Sequence, residues 1–245
     1  MCGRYVSPAE AELNREYRID AHNSHIGIAD ALERSYEQSF NVAPTDLVPV
    51  VRVIRNKDGE RESVLMRWGL IPYFANGEPP GYSTINATIE KLETAPAWRG
   101  PWSRGQRCIV PCAGFYEWQV QPDGRTKQPF YIKPANGEIF SFAGLWDVSY
   151  TPTGERVVSC AVITMPANAL MRDIHNAKQR MPAILQREDV ETWLSGTQEA
   201  ACAVLKEFPS DEMLAWPVSN RVNRTKNAGP DLIQRIPFQR LDLFG

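Results

Sequence analysis

Beyond residue 107 the chain is divided into short apolar runs separated by turn residues, and this spacing limits the folds open to it. Arg107 to Val110, Gly114 to Gln119, Phe130 to Lys133, Ile139 to Trp146 and Val157 to Thr164 each read as a strand. Pro182 to Leu185 and Ala215 to Val218 continue the pattern, and Pro122-Asp123-Gly124 is one of the intervening turns. Upstream, Leu47 to Ile54 and Ser63 to Trp68 flank Asn56-Lys57-Asp58-Gly59, a strong hairpin signal. Helical stretches fall irregularly between the strands. Ser7-Pro8-Ala9-Glu10 predicts a capped start to a helix reaching about Ile19. Others are predicted over Ile28 to Gln38, from Asn86 to before Pro96, and over Pro166 to His175, Glu188 to Leu194 and Thr197 to Phe208. With no βαβ alternation, internal repeat or linker, the expectation is one α+β domain over residues 1–245. Its sheet should be curved, mostly antiparallel and barrel-like, with flanking helices.

Charge and cysteine usage narrow the function classes. A net charge of −2 offers no global positive field, so any nucleic-acid binding must rest on a local patch. No apolar run reaches membrane-spanning length, and the start of the chain lacks the basic-then-apolar pattern of a secretory signal. Cys2, Cys108, Cys112, Cys160 and Cys202 make an odd set in such a chain, which predicts reduced thiols and a cytoplasmic location. Cys108 and Cys112 are spaced as zinc ligands can be. No second pair or nearby histidine completes a site, so they are expected to be structural thiols on a buried strand, with no metal and no cofactor.

The opening Met1-Cys2-Gly3-Arg4-Tyr5 carries the most unusual chemistry. A small residue at position two permits removal of the initiator methionine, which would leave Cys2 with a free α-amine two carbons from its thiol. Such a pair can condense with an aldehyde as a Schiff base and then close a five-membered thiazolidine. Both groups titrate near neutrality, the amine at about 7.7–8.0 and the thiol at about 8.5. Three downstream residues stand out, each with an ordinary explanation. Glu117 lies between Tyr116 and Trp118, where a carboxylate is either solvent-facing through alternation or a buried acid. Asn86 is explained as a helix N-cap, and His175 as a satisfied structural histidine.

Taken together in order, the stretches do more. Met1-Cys2-Gly3-Arg4-Tyr5, Asn41-Val42-Ala43-Pro44, Arg67-Trp68-Gly69-Leu70-Ile71-Pro72, Asn86-Ala87, Arg107 through Trp118, Ala143-Gly144-Leu145-Trp146 and Arg180-Met181-Pro182 closely resemble the SOS-response-associated peptidase family. Members of that family attach covalently to abasic sites in DNA, and their fold is a barrel-like sheet with flanking helices. The resemblance implies that Cys2, freed of Met1 by an autoproteolytic, peptidase-like step, is the nucleophile toward the ring-opened deoxyribose. Glu117 would manage the protons of the Cys2 amine, His175 would act as acid–base in sugar opening, and Asn86 would orient the terminus. It also implies Arg4 and Arg99 on phosphates, Trp68 and Trp118 against bases around the lesion, and Thr164 holding a phosphate. The implied partner is single-stranded DNA with abasic sites. The protein should be a monomer, associated with the nucleoid when bound, with crosslinking and lyase-type activity.

Two positions depart from the family pattern. Thr88 stands where members often carry arginine, which weakens or moves one phosphate contact; Asn176-Ala177-Lys178-Gln179 separates His175 from Arg180, a longer spacing than in many members. Lys178 and Arg180 are candidates for the displaced positive charge. Two other classes share part of the evidence in the chain. Amidotransferases with an N-terminal cysteine also begin Met-Cys-Gly, but Asn227-Ala228-Gly229-Pro230-Asp231 only superficially echoes the substrate-binding set they require. A non-catalytic DNA-binding module would leave Cys2 without a role.

Overall fold

The computed structural model describes residues 2–26, 36–54, 57 and 59–237. The strands, in chain order, begin with β1 (Tyr5–Val6), β2 (Ser24–His25), β3 (Leu47–Val53), β4 (Arg61–Trp68) and β5 (Asn86–Thr88). The central group is β6 (Arg107–Cys112), β7 (Gly114–Val120), β8 (Lys127–Pro134), β9 (Phe140–Tyr150) and β10 (Arg156–Pro166). Three short strands follow, β11 (Arg180–Pro182), β12 (Ile184–Leu185) and β13 (Met213–Pro217). The helices are α1 (Glu10–Tyr17), α2 (Pro96–Ser103), α3 (Ala169–Ile174), α4 (Val190–Ser195) and α5 (Gln198–Ala203).

The larger sheet closes on itself. β10 pairs with β4, β4 with β3, β3 with β6, β6 with β9, and β9 returns to β10. All these pairings but β10–β4 are antiparallel, so the ring is the expected barrel-like, mostly antiparallel sheet. Closure leaves no long open edge on these strands. Both of its faces are packed, from strands whose β-branched and aromatic residues suit a pleated, buried surface. Val48, Val50, Val51, Met66, Ile109, Phe142, Leu145, Ala161 and Ile163 are all buried. Cys108 and Cys112 lie here too, on a β6 that is buried along its whole length.

A second, four-stranded sheet runs β1–β7–β8–β13. The chain turns from one sheet into the other at Ala113-Gly114. Here glycine is required by space: a Cβ on Gly114 would fall 2.3 Å from the Tyr131 hydroxyl, which itself donates to the Ala113 carbonyl at 3.2 Å. Gly69, at the end of β4, is fixed by conformation instead, with φ +122 and its amide donating to the Cys160 carbonyl at 2.9 Å.

Three local expectations are corrected. Ser7 does not cap α1. It is buried, with its hydroxyl 3.1 Å from that of Tyr36 and accepting from the Ser39 amide, and the N-cap position falls on Ala9. Glu10, expected to close the capping box, instead accepts from Ser24 Oγ and the Tyr36 amide. Asn86–Thr88 is a strand rather than a helix start, because β10 offers it a parallel ladder at Val162–Thr164. The helix of this region begins ten residues later with Pro96 at its first position, and it buries Ala97, Trp98 and Trp102. The helix expected over Ile28 to Gln38 lies mostly outside the described residues, as do Asn56 and Asp58 of the hairpin turn, although β3 and β4 pair as that turn predicts.

Candidate active site

Backbone register brings Cys2 to its neighbours. β1 pairs antiparallel with β7, Tyr5 opposite Phe115 and Val6 opposite Gly114, and the Tyr116 amide donates to the Arg4 carbonyl at 3.0 Å. The stretch before β1 is thus led along β7 toward Glu117, whose charge acts on the Cys2 thiol. Val42 straps the other edge, exchanging both amide–carbonyl hydrogen bonds with Tyr5. Its neighbour Asn41 anchors the strap through its side-chain amide, which donates to the carbonyls of Arg224 and Asn227 at 3.1 and 2.9 Å.

Cys2 is fully buried, and its carbonyl accepts a 2.8 Å hydrogen bond from Asn86 Nδ2. Asn86 can make this contact because β5 is held on β10; its Oδ1 is enclosed and has no hydrogen-bond partner among the described residues. Burial pushes the Cys2 thiol well above its ordinary pKa, and the negative charge of Glu117 pushes it further the same way. Glu117 is itself buried on β7, with Oε2 3.9 Å from His175 Nε2. His175 sits at the C-terminal end of α3. Its Nδ1 is 2.7 Å from the Arg180 carbonyl, which can only accept, so Nδ1 carries the proton and Nε2 faces the carboxylate. Asn86, Glu117 and His175 therefore converge on one cavity of about 520 Å³, completed by Trp118, Lys127, Lys178 and Asn223. Cys2 lies behind that wall, joined to it through Asn86.

The residues expected on DNA are placed differently from one another. Trp118 lines the cavity half-buried, its indole N–H donating to Asn223 Oδ1 at 2.8 Å. Trp68 is corrected: it is fully enclosed, edge-on to Tyr5 with centroids 5.4 Å apart, and its N–H donates to the Ile85 carbonyl. No face of it is open to a base. Thr164 is corrected for the same reason, being fully buried with its hydroxyl donating to the Ala87 carbonyl at 3.4 Å. Arg99 is exposed on α2 but does not line the cavity. Arg4 works as a clamp: its guanidinium donates to Asn41 Oδ1, the Val222 carbonyl and the Asn223 carbonyl at 2.9, 2.9 and 3.3 Å. It thereby holds in place the turn whose Asn223 meets Trp118.

Arg180 gives little open charge, because Glu90 accepts from both of its Nη atoms at 2.5 and 2.9 Å, and Nη2 also reaches the Thr164 carbonyl. Its contribution to the site is the carbonyl that sets the His175 tautomer. Lys178 is exposed at the rim. Sequence reading gave no role to Asn41, Glu90, Lys127 or Asn223. Asn41 was visible only as part of a motif and Asn223 only inside the basic stretch after residue 219, while nothing local marks Glu90 or Lys127.

The chain is similar to known proteins along most of its length. A family profile described as SOS response associated peptidase matches residues 1–225. The abasic site processing protein YoqW of Bacillus subtilis strain 168 is 37% identical over 238 residues, covering 96% of this chain and 99% of that one. The abasic site processing protein HMCES of Xenopus tropicalis is 33% identical over 229 residues, covering 82% of this chain and 67% of its own. Among solved structures, a protein from Bacteroides thetaiotaomicron superposes with a TM-score of 0.77 at 25% identity, covering 97% of this chain and all of that one.

Proposed function

The chain belongs to the SOS response associated peptidase family, and from that premise we propose that it captures abasic sites in single-stranded DNA as a thiazolidine on Cys2. The observation that carries the reading is the convergence of Asn86, Glu117 and His175 on one cavity with Cys2 held directly behind it.

Removal of Met1 converts the Cys2 amide nitrogen into a primary amine beside Glu117. The same carboxylate would assist that cleavage. The amine then attacks C1′ of the ring-opened sugar, forming a C–N bond, and loss of water gives the imine. Burial and the Glu117 charge both keep the thiol protonated, so the amine is the first nucleophile. Sulfur adds to the imine carbon in the second step. A C–S bond forms as the C=N π bond gives its electron pair to nitrogen, and the thiol proton passes by way of Glu117 to that nitrogen, leaving the secondary amine of the ring. His175 suits the sugar-opening step, since its fixed tautomer aims Nε2 into the cavity. The enclosed Asn86 Oδ1 supplies an acceptor for the new amine. The half-buried Trp118 gives a base-stacking surface, and Lys127 and Lys178 supply charge for the flanking phosphates.

The test is incubation with single-stranded DNA carrying one abasic site, followed by denaturing electrophoresis. Processed protein should give an adduct that survives denaturation, and mass spectrometry should show the loss of one methionine. An adduct formed equally by Cys2→Ala would overturn the assignment.

A further inference from the structure

At the other end of β10 from the Cys2 site lies a second groove that the chemistry above does not use. Arg156 begins the strand, whereas the Asn86 partner Val162 lies six residues on, about 20 Å away at roughly 3.3 Å per residue. The groove, about 670 Å³, is lined by Arg52, Arg104 and Arg156 together with the rings of Tyr73, Trp146 and Tyr150. Its carboxylates, Glu62 and Asp147, are already engaged: Glu62 holds Arg52 at 2.7 Å and Asp147 holds Arg104 at 2.9 Å. These pairs aim the guanidinium groups and offset two of the three charges, which leaves Arg156 as the source of net positive charge. Arg52 lies over the Trp146 ring at 4.3 Å and Arg104 over the Tyr73 ring at 5.2 Å. Arg156 is exposed and makes no ion pair among the described residues. An adjoining hollow of about 540 Å³ is lined by Lys57, paired with Glu60 at 3.0 Å, and by the buried Arg107, whose guanidinium is turned to the Trp193 and Gly196 carbonyls.

The aromatic exposure argues for what binds there. Tyr73 is 58% exposed, Tyr150 55% and Phe74, edge-on to Tyr73, 47%. Large rings left this open beside a row of arginines form the combination that holds unstacked bases and their phosphates without reading sequence. A simple acidic peptide would use the cations but leave the rings uncovered.

We infer that this groove is a second contact surface for single-stranded nucleic acid, on the far end of the barrel from Cys2. Bases stack on Tyr73 and Tyr150, and phosphates meet Arg104 and Arg156. It needs no abasic site and no chemistry at Cys2.

The experiment uses full-length protein and an abasic-free oligothymidine in which some thymines are replaced by 5-iodouracil. Ultraviolet crosslinking followed by peptide mass spectrometry should find adducts on peptides containing Tyr73 or Tyr150. In an anisotropy titration, the surface double variant Tyr150→Ala with Arg156→Glu should lose about 10-fold in affinity, as expected for one lost stack and one reversed charge. Its salt dependence should flatten by about one phosphate contact. Crosslinks confined to the Trp118 region, with an unchanged titration for the double variant, would overturn the inference. So would a groove that takes polyglutamate but not the oligonucleotide. Because the probe carries no abasic site, failure of the thiazolidine reading leaves this test intact.

Discussion

The two ends of the barrel use polar groups in opposite ways. Around Cys2, the important groups are buried and fixed by the backbone: Asn86 bonds the Cys2 carbonyl, and the Arg180 carbonyl sets the His175 tautomer. Around Trp146, ion pairs from the half-buried Glu62 and the buried Asp147 hold Arg52 and Arg104 over aromatic rings, while Arg104, Arg156, Tyr73 and Tyr150 reach solvent. A low-dielectric setting makes each misplaced polar atom expensive and each proton position definite. A solvated groove tolerates substitution and holds its ligand by many small contacts. As proposed, the first end serves a reaction and the second adhesion.

The comparison breaks most sharply at Cys2. Cys2→Ala should give no denaturation-resistant adduct with abasic DNA, while the double variant Tyr150→Ala with Arg156→Glu should form it at full yield when DNA saturates; electrophoresis reads both. Next is Glu117→Gln, which keeps the shape but not the proton acceptor. Its crosslinking rate should fall about 10²–10⁴-fold with DNA affinity nearly unchanged, a split seen by pairing single-turnover kinetics with anisotropy. An unchanged rate would remove Glu117 from the proton chemistry.

The tryptophans sharpen the contrast in stability. Trp68→Ala empties a fully enclosed position and should cost about 3–5 kcal/mol in denaturant unfolding, whereas Trp118→Ala should lower DNA affinity with a much smaller loss of stability. A smaller effect is expected for Asn41→Ala. It removes the acceptor of Arg4 and the donor to the 224–227 turn, and should cost about 1–3 kcal/mol. The smallest effect belongs to Glu90. The hydrogen bond from Arg180 holds its carboxyl below the ordinary glutamate value. Since the folded pKa is depressed, the stabilisation is present above the ordinary value and is lost as pH falls through the lowered one. For so exposed a pair it should not exceed about 1 kcal/mol. Comparing acid unfolding of wild type and Glu90→Gln measures it.

How much of this was legible depends on whether the determining physics was local. Turn chemistry and β-branched runs marked β3, β4, β6 to β10 and β13 within a few residues, because those signals act over a few positions. The capping box at Ser7 failed because Tyr36, Ser39 and Ser24 compete for the same two side chains from elsewhere in the chain. Asn86 looked like a cap and became a strand because its partner, β10, lies more than seventy residues downstream. Trp68 and Thr164 looked like ligand contacts because a motif names residue types and not their exposure. Burial is a property of the closed barrel.

By itself, then, the sequence determined the class of fold, the family, and a cysteine at position two, whose amine would stand two carbons from its thiol once Met1 is removed. Those follow from side-chain chemistry and from patterns that the chain carries whatever its shape. Only the tertiary structure decided that the Arg4 carbonyl meets the Tyr116 amide next to Glu117, that His175 shows Nε2 to the carboxylate, and that Arg4 is a clamp. Each depends on strands and turns meeting from distant parts of the chain, and on burial that fixes which atoms have no alternative partner.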